Sequence, residues 1–204
     1  MEPSASKDCK MEYNTLGSSD VKVSERSFQP QLCFGTMTFG VQNSKEQAFE
    51  MLDYAYKCGV NFIDTAEMYP VPPTEKTQGL SEKIVGAWMK ERGIRDKIVL
   101  ATKVTGRSEA KGYVNKTRGL GDDKKCATLD EKSILAACDA SLKRLQTDYI
   151  DLYQIHWPDR YVPLFGRARY DRTKEHADYA SFEDQVIAIG KLIKAGKIKH
   201  WVHA

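Results

Sequence analysis

Strand-like and helix-like segments alternate along most of this chain, and this alternation limits the folds open to it. Apolar runs rich in β-branched residues occur at 32–40, 60–66, 97–104 and 149–157, and a segment with helical spacing of apolar residues follows each of the four. A fifth strand is predicted to begin within 197–202. This order predicts parallel βαβ units with right-handed crossovers.

Capping signals mark where the helices begin. Ser44, with Gln47 three residues later, has the pattern of a capping box, in which each side chain bonds the other residue's backbone N–H. Thr128 and Glu131 have the same spacing, and Ser181 precedes another apolar-periodic segment. These three positions are the predicted N-caps of the first, third and fourth crossover helices.

The N-terminal region reads differently from this repeating body. Residues 1–10 have the composition of a flexible tail, and 11–25 alternate around the turn 17–20, which predicts a β-hairpin. The polar stretch 26–31 fits neither element and is interpreted as an insertion. Because 41% of the 204 residues are hydrophobic, we expect one substantial core and one domain over 11–204.

Two architectures suit repeated βαβ units, an open doubly-wound sheet and a (β/α) barrel. No G-x-G-x-x-G follows the first strand, which counts against a Rossmann dinucleotide site; "GTMTFG" has the wrong glycine spacing. A (β/α)8 TIM barrel typically needs about 250 residues. The predicted fold is therefore α/β, a partial TIM barrel with an N-terminal hairpin and the first four to five βα units.

Charge and cysteine usage exclude several classes. With 31 Lys and Arg against 28 Asp and Glu, the net charge of +3 argues against nucleic acid or an anionic membrane as partner. No apolar run approaches the roughly 20 residues needed to cross a bilayer. The five cysteines are scattered without a C-x-x-C pair, which favours reduced thiols over a zinc site. We expect a cytoplasmic protein without a bound metal.

Ionisable residues end three successive strands. Asp64 ends the second strand, with Tyr69 just beyond it, while Lys103 ends the third and His156 the fourth. Each has an ordinary structural explanation alone: a turn cap, a solvated amine, a histidine bonded to a carbonyl. Because the carboxyl ends of parallel strands share one rim, their coincidence predicts an active site there.

Such a set suits delivery of a proton to a carbonyl oxygen. A free Tyr has a pKa of about 10, and a nearby ammonium is expected to lower the pKa of Tyr69 by stabilising phenolate. A carboxylate at Asp64 would hold Lys103 charged, and His156 would orient the carbonyl. None of these groups supplies an electron pair, so a reduction needs a hydride carrier.

The same stretches resemble a known family. "GTMTFG", "FIDTAEMY", "ATKV" and "IDLYQIHW" look like the aldo-keto reductases, and the longer "FIDTAEMYPVPPTEKTQGLSEKIVGAW" is similar to their Tas-like branch. The likeness covers about 11–199, interrupted at 26–31. It implies a (β/α) barrel in which NADPH delivers hydride to aldehydes or ketones.

The resemblance also assigns roles. The family's catalytic tetrad falls on Asp64, Tyr69, Lys103 and His156. The cofactor-binding positions that it implies, beside the nicotinamide, are Gly35, Thr36, Met37 and Asp64. Apolar side chains at the rim make Trp157, together with Met37, a candidate for the substrate pocket, the alternative being ordinary core packing.

One departure from the family pattern lies at the end of the printed sequence. Relatives continue "GKIRYIGVSN" and add strands that grip the cofactor, whereas here "GKIK" is followed by "HWVHA". We therefore expect a truncated form with little turnover alone, and self-association through exposed barrel edges. The alternative function is a non-catalytic regulatory relative, such as a potassium-channel β-subunit-like partner.

The loop 103–128 is rich in basic residues, among them Arg107, Arg118 and Lys124. It is interpreted as a mobile, solvated flap rather than as a site that gathers anionic ligands.

Overall fold

The computed structural model describes residues 11–26, 32–121, 126–164 and 169–203. The predicted tail, 1–10, lies outside the described residues, as does nearly all of the predicted insertion. The helices and strands, in chain order, are β1 (Met11–Thr15), β2 (Lys22–Arg26), β3 (Cys33–Gly35), α1 (Lys45–Lys57), β4 (Phe62–Asp64), α2 (Leu80–Arg92), β5 (Val99–Val104), α3 (Val114–Thr117), α4 (Glu131–Leu145), β6 (Ile150–Ile155), α5 (Phe182–Lys194) and β7 (Ile198–His203).

The five later strands form one parallel sheet in the order β3-β4-β5-β6-β7. Each strand pairs with its neighbour in sequence, and the order never reverses. A doubly-wound sheet has a switch point where strand order reverses, whereas a barrel adds strands in one direction. The structure therefore confirms the predicted α/β fold with sequential βα units.

The predicted hairpin is also present. β1 and β2 pair antiparallel, with Met11 opposite Arg26. The hairpin docks beside Asn61, just before β4: the Asn61 Oδ1 accepts a hydrogen bond from the Ser24 backbone N–H at 2.8 Å. It thus lies at the amino end of β4 and leaves the carboxyl ends of the strands free.

Two of the three predicted N-caps are confirmed. The Ser44 hydroxyl accepts from the Gln47 N–H at 3.3 Å, and the Gln47 Oε1 accepts from the Ser44 N–H at 2.9 Å, which completes the capping box. Ser181 caps α5 by accepting from the Asp184 N–H at 3.0 Å. Both helices begin where the serine satisfies an otherwise unpaired backbone donor.

The predicted cap at Thr128 is wrong. Asp130 caps α4, because its Oδ1 accepts from the Ser133 N–H at 2.9 Å. The Thr128 hydroxyl instead donates to Asp130 Oδ2 at 2.7 Å. A carboxylate beside the first turn also interacts favourably with the positive end of the helix dipole, so it outcompetes the hydroxyl two residues earlier.

The helices cover one face of the sheet and bury its core. Trp88 of α2 is fully buried there, and its Nε1 donates to Asp53 Oδ1 at 2.7 Å. The other face carries the polar side chains of the strand ends. In register, Asp64 lies opposite Ala101, and Lys103 lies opposite Gln154. Ala101 and Lys103 are two residues apart on β5, so their side chains point to the same face. The polar side chains of Asp64, Lys103 and Gln154 therefore all project from that face.

Candidate active site

A lysine–carboxylate pair forms the centre of this site. Lys103 Nζ donates to Asp64 Oδ2 at 2.5 Å and to the Thr65 carbonyl oxygen at 2.7 Å. Gln154, which the sequence reasoning missed, donates from Nε2 to the other carboxylate oxygen, Asp64 Oδ1, at 2.9 Å. The carboxylate is therefore held on both sides, and it keeps the ammonium in a fixed position.

Tyr69 and His156 complete the cluster. Lys103 Nζ lies 4.8 Å from the centroid of the Tyr69 ring, within cation–π range. The Tyr69 and His156 rings meet edge to face with centroids 5.7 Å apart. The structure thus brings the four rim residues of the sequence analysis together.

The phenol differs from expectation in one respect. Burial, with the Asp64 carboxylate adding to it, raises the pKa of Tyr69 to about 12 rather than lowering it. The physical reason is that Lys103 is paired with Asp64 and sits over the ring. Tyr69 is consequently a protonated phenol at neutral pH, which is the form that can donate a proton.

The imidazole is neutral. Burial, reinforced by the Lys103 charge, lowers the pKa of His156 to about 4. Its backbone N–H donates to the Val104 carbonyl at 3.0 Å, whereas its Nδ1 is buried and has no hydrogen-bond partner among the described residues. A neutral imidazole can donate one N–H to a carbonyl oxygen without competing for the proton of the phenol.

The predicted cofactor segment lies beside Asp64, since Gly35 is opposite Asp64 in the strand register. The Thr36 N–H and hydroxyl both donate to the Asp64 carbonyl oxygen at 3.0 Å, so the buried Thr36 side chain is committed to holding the β3–β4 end. Met37 is 46% exposed. A Cβ built on Gly35 meets no atom within 4 Å, so open space adjoins the backbone there.

Trp157 lies at the edge of the site and is largely packed. Its side chain contacts Ala66 and Met68, and its Nε1 donates to the Arg107 carbonyl at 2.8 Å. Its ring centroid is 4.9 Å from that of His156. The assignment of Trp157 to a substrate pocket remains a prediction, since the tryptophan also holds two loops together.

A recess of about 720 Å³ opens between the loops that follow β5 and β6. Its apolar wall includes Tyr161, Val162 and Leu164. Val162 and Leu164 also pack, with Tyr69, against the small cluster that contains Met68. None of the four rim residues lines the recess, whose walls come from long loops with contacts that a sequence pattern does not reveal.

The interpretation of 103–128 as a solvated flap is wrong for Arg118. Its side chain is 0% exposed and bonds Glu67 through two nitrogens, each 2.7 Å from a carboxylate oxygen. Lys124 lies outside the described residues. A buried, bidentate charge pair is strongly directional, so this arginine anchors the loop instead of loosening it.

Gly106, after β5, has no room for a side chain. A Cβ there would overlap the Trp157 carbonyl oxygen and lie 2.5 Å from Trp157 Cδ1. We expect Gly106→Ala to destabilise the protein by about 1–3 kcal/mol, measured by urea unfolding. Gly190→Ala is the matched control: this site in α5 meets no atom within 4 Å, so alanine should stabilise by about 1 kcal/mol. Equal stability of the two variants would contradict the packing described.

The described residues show neither a membrane-spanning helix nor a metal-binding cluster. In the described ranges, no helix combines the length and apolar character that a membrane span requires. Among the same residues, no group of three or more His, Cys, Asp or Glu side chains is placed to hold a metal ion.

Fold and site together define an α/β protein of the barrel type, with an acid–base cluster at the carboxyl ends of its strands. Residues 31–202 match the Aldo/keto reductase family, and the chain belongs to that family. It is 45% identical over 190 residues to Protein tas of Escherichia coli, covering 93% of this chain and 51% of the relative.

Other relatives and a solved structure agree. The chain is 41% identical over 155 residues to the uncharacterized oxidoreductase YrpG of Bacillus subtilis, covering 75% of this chain and 42% of the relative. The holo form of aldo-keto reductase AKR11C1 from Bacillus halodurans superposes with a TM-score of 0.64 at 30% identity, over 96% of this chain and 50% of that one. The chain thus spans about half the length of these proteins.

Proposed function

We propose that the chain is an oxidoreductase that reduces aldehydes or ketones to alcohols with NADPH. The observation that carries this proposal is the Lys103–Asp64 pair at 2.5 Å, placed against the Tyr69 ring beside the neutral imidazole of His156. In this arrangement the phenol carries its proton and the imidazole is neutral, as the proposed reduction of a carbonyl requires.

Tyr69 gives its phenolic proton to the carbonyl oxygen as negative charge develops there. Lys103 lies over the Tyr69 ring, where Asp64 holds its amine, and Gln154 in turn holds the Asp64 carboxylate. His156 donates a hydrogen bond to the same carbonyl oxygen and fixes its orientation. The carbonyl oxygen therefore receives its proton from Tyr69, and His156 stays neutral throughout.

Reduced nicotinamide, when bound, supplies the hydride that the carbonyl carbon accepts. The residues present suit its flat ring: open space adjoins Gly35, and the exposed Met37 offers an apolar side chain beside it. Thr36 contributes by fixing the Asp64 backbone. Preference for NADPH over NADH is part of the proposal and rests on the family resemblance.

The recess between the loops that follow β5 and β6 is the proposed site for the body of the substrate. Tyr161, Val162 and Leu164 give it an apolar wall, which suits the hydrocarbon or aromatic part of an aldehyde or ketone, and charged side chains such as Arg160 and Glu175 line the rest. Trp157, beside His156, is proposed to contact the substrate at the rim.

The experiment is a fluorescence titration of the purified chain with NADPH, followed by a single-turnover assay with excess chain over a small aldehyde. We expect saturable binding and slow aldehyde-dependent oxidation of the cofactor, in line with the little turnover that the sequence predicts, and the single-turnover format detects such a slow step. Binding without any aldehyde-dependent oxidation would contradict the proposed reaction and favour a binding role.

Self-association through the sheet edges is also proposed, with residues 11–204 acting as one domain. β3 and β7 each have one strand neighbour in the described sheet, and an unpaired strand edge is a template for pairing. On the nearby α5, Phe182 and Ile187 are more than half exposed. Light scattering should give a mass above 23.1 kDa that rises with concentration. A constant monomer mass would contradict self-association.

A further inference from the structure

Glu67 and Arg118 form a fully buried ion pair behind the catalytic rim. Arg118 Nε and one terminal nitrogen donate to the two carboxylate oxygens of Glu67, each at 2.7 Å, and both side chains are 0% exposed. The guanidinium also donates to the carbonyl oxygens of Thr105 at 3.1 Å and Thr128 at 3.2 Å. The ion pair is bidentate. The four hydrogen bonds that the guanidinium donates hold the orientation of the Arg118 side chain.

The pair ties together the two segments that carry the phenol and the ammonium. The Glu67 backbone N–H donates to the Lys103 carbonyl at 3.0 Å, and the Thr105 N–H donates to Glu67 Oε2 at 2.8 Å. Tyr69 follows Glu67 by two residues. The position of Tyr69 relative to the end of β5 is therefore set by hydrogen bonds of one residue, Glu67, through both its backbone and its carboxylate.

The carboxylate is charged in spite of its burial. Burial raises the pKa of Glu67, but the adjacent Arg118 more than offsets this effect, so the pKa lies below its ordinary value. A buried pair of this kind is weak evidence for stability, because apolar side chains of similar volume often serve as well. Its directionality is what an apolar replacement does not reproduce.

We propose that Glu67 and Arg118 are positioning residues that fix Tyr69 against Lys103 and His156. This inference rests on the proposed function. Arg118 acts through Glu67 and touches none of the reacting atoms, so it does not belong to the catalytic set. Its effect is on the distance and orientation of the phenol, to which the rate of proton transfer is sensitive.

Arg118→Lys is the main test, since lysine keeps the positive charge but lacks the planar guanidinium that bonds both carboxylate oxygens of Glu67. We expect kcat to fall about 10- to 100-fold with KM little changed. Arg95→Lys is the matched control: Arg95 donates to Asp151 Oδ2 at 2.8 Å and to the Ile98 and Tyr149 carbonyl oxygens, at the amino ends of β5 and β6 and so opposite the rim. We expect this control to lose stability while it keeps the wild-type kcat.

A second measurement does not depend on turnover. The edge-to-face contact of Tyr69 with His156 makes the His156 ring resonances sensitive to displacement of the phenol. The chain has four histidines, and the ring signals missing from the spectrum of His156→Gln are those of His156. Arg118→Lys should shift the His156 signals and Arg95→Lys should not. Absence of turnover in the wild type would overturn the proposed function. The His156 resonances would still test whether Glu67 and Arg118 position Tyr69.

Unchanged His156 resonances in folded Arg118→Lys would overturn the positioning role, as would an unchanged kcat. If Arg118→Lys does not fold, the double variant Glu67→Gln/Arg118→Met takes its place, because it removes both charges and keeps an acceptor for the Thr105 N–H. Shifted His156 signals in a folded double variant support the proposal. Wild-type signals contradict it.

Discussion

Replacing Tyr69 with phenylalanine is expected to lower the rate of carbonyl reduction by about 10²- to 10⁴-fold, the usual effect of removing a general acid. The change deletes only the hydroxyl. The ring remains, so its contacts with Lys103 and His156 persist, and the free energy of unfolding should change little. The rate is measured as aldehyde-dependent oxidation of NADPH, and the stability by urea unfolding.

A remote phenol provides the control for this prediction. Tyr54 on α1 is 63% exposed, so Tyr54→Phe should leave both the rate and the stability unchanged. Tyr69→Phe that reduces aldehydes at the wild-type rate would remove the phenol from the mechanism. Loss of cofactor binding in that variant would point instead to a structural role for the hydroxyl.

Acidification is expected to weaken the fold through His156. Its pKa is lowered from 6.5 to about 4, chiefly by burial. Between these values the unfolded chain binds a proton on this imidazole that the folded chain does not, so the free energy of unfolding falls as pH falls. The contribution is present above pH 6.5 and is lost progressively toward pH 4. Its full size is about 3 kcal/mol.

The measurement is a urea unfolding series across this pH range for the wild type and His156→Gln. Carboxylates that titrate in the same range are common to both proteins, so the difference in slope isolates the imidazole. We expect the variant to have the shallower pH dependence. Identical slopes would mean that His156 is solvated rather than buried next to Lys103.

The parts of the site that the sequence predicted are those fixed by local pattern and parallel pairing. Asp64, Lys103 and His156 each follow a short apolar run, and parallel strands place their carboxyl ends on one rim whatever the loops do. Tyr69 follows Asp64 closely enough to share that rim. This is why residues at the ends of three separate strands could be predicted to form one site. The strand order followed in the same way from the alternation of strands and helices.

Other features depend on contacts that no local pattern carries. Glu67 and Arg118 are 51 positions apart and come from two irregular segments, so the arginine looked like any other cation in a polar loop. Gly106 resembles a flexible loop glycine until Trp157 is placed against it. The direction in which the pKa of Tyr69 shifts also depends on three-dimensional contacts, because Lys103 can face either the hydroxyl or the ring.

The most direct measurement is transfer of deuterium to benzaldehyde from NADPH that carries deuterium at both hydrogen positions of nicotinamide C4, with the product analysed by mass spectrometry. If the phenol and the paired ammonium act together at the strand ends, the wild-type chain should form benzyl alcohol that carries one deuterium, and Tyr69→Phe should form almost none. Unlabelled alcohol from the wild type, or equal labelled product from both chains, would contradict the account.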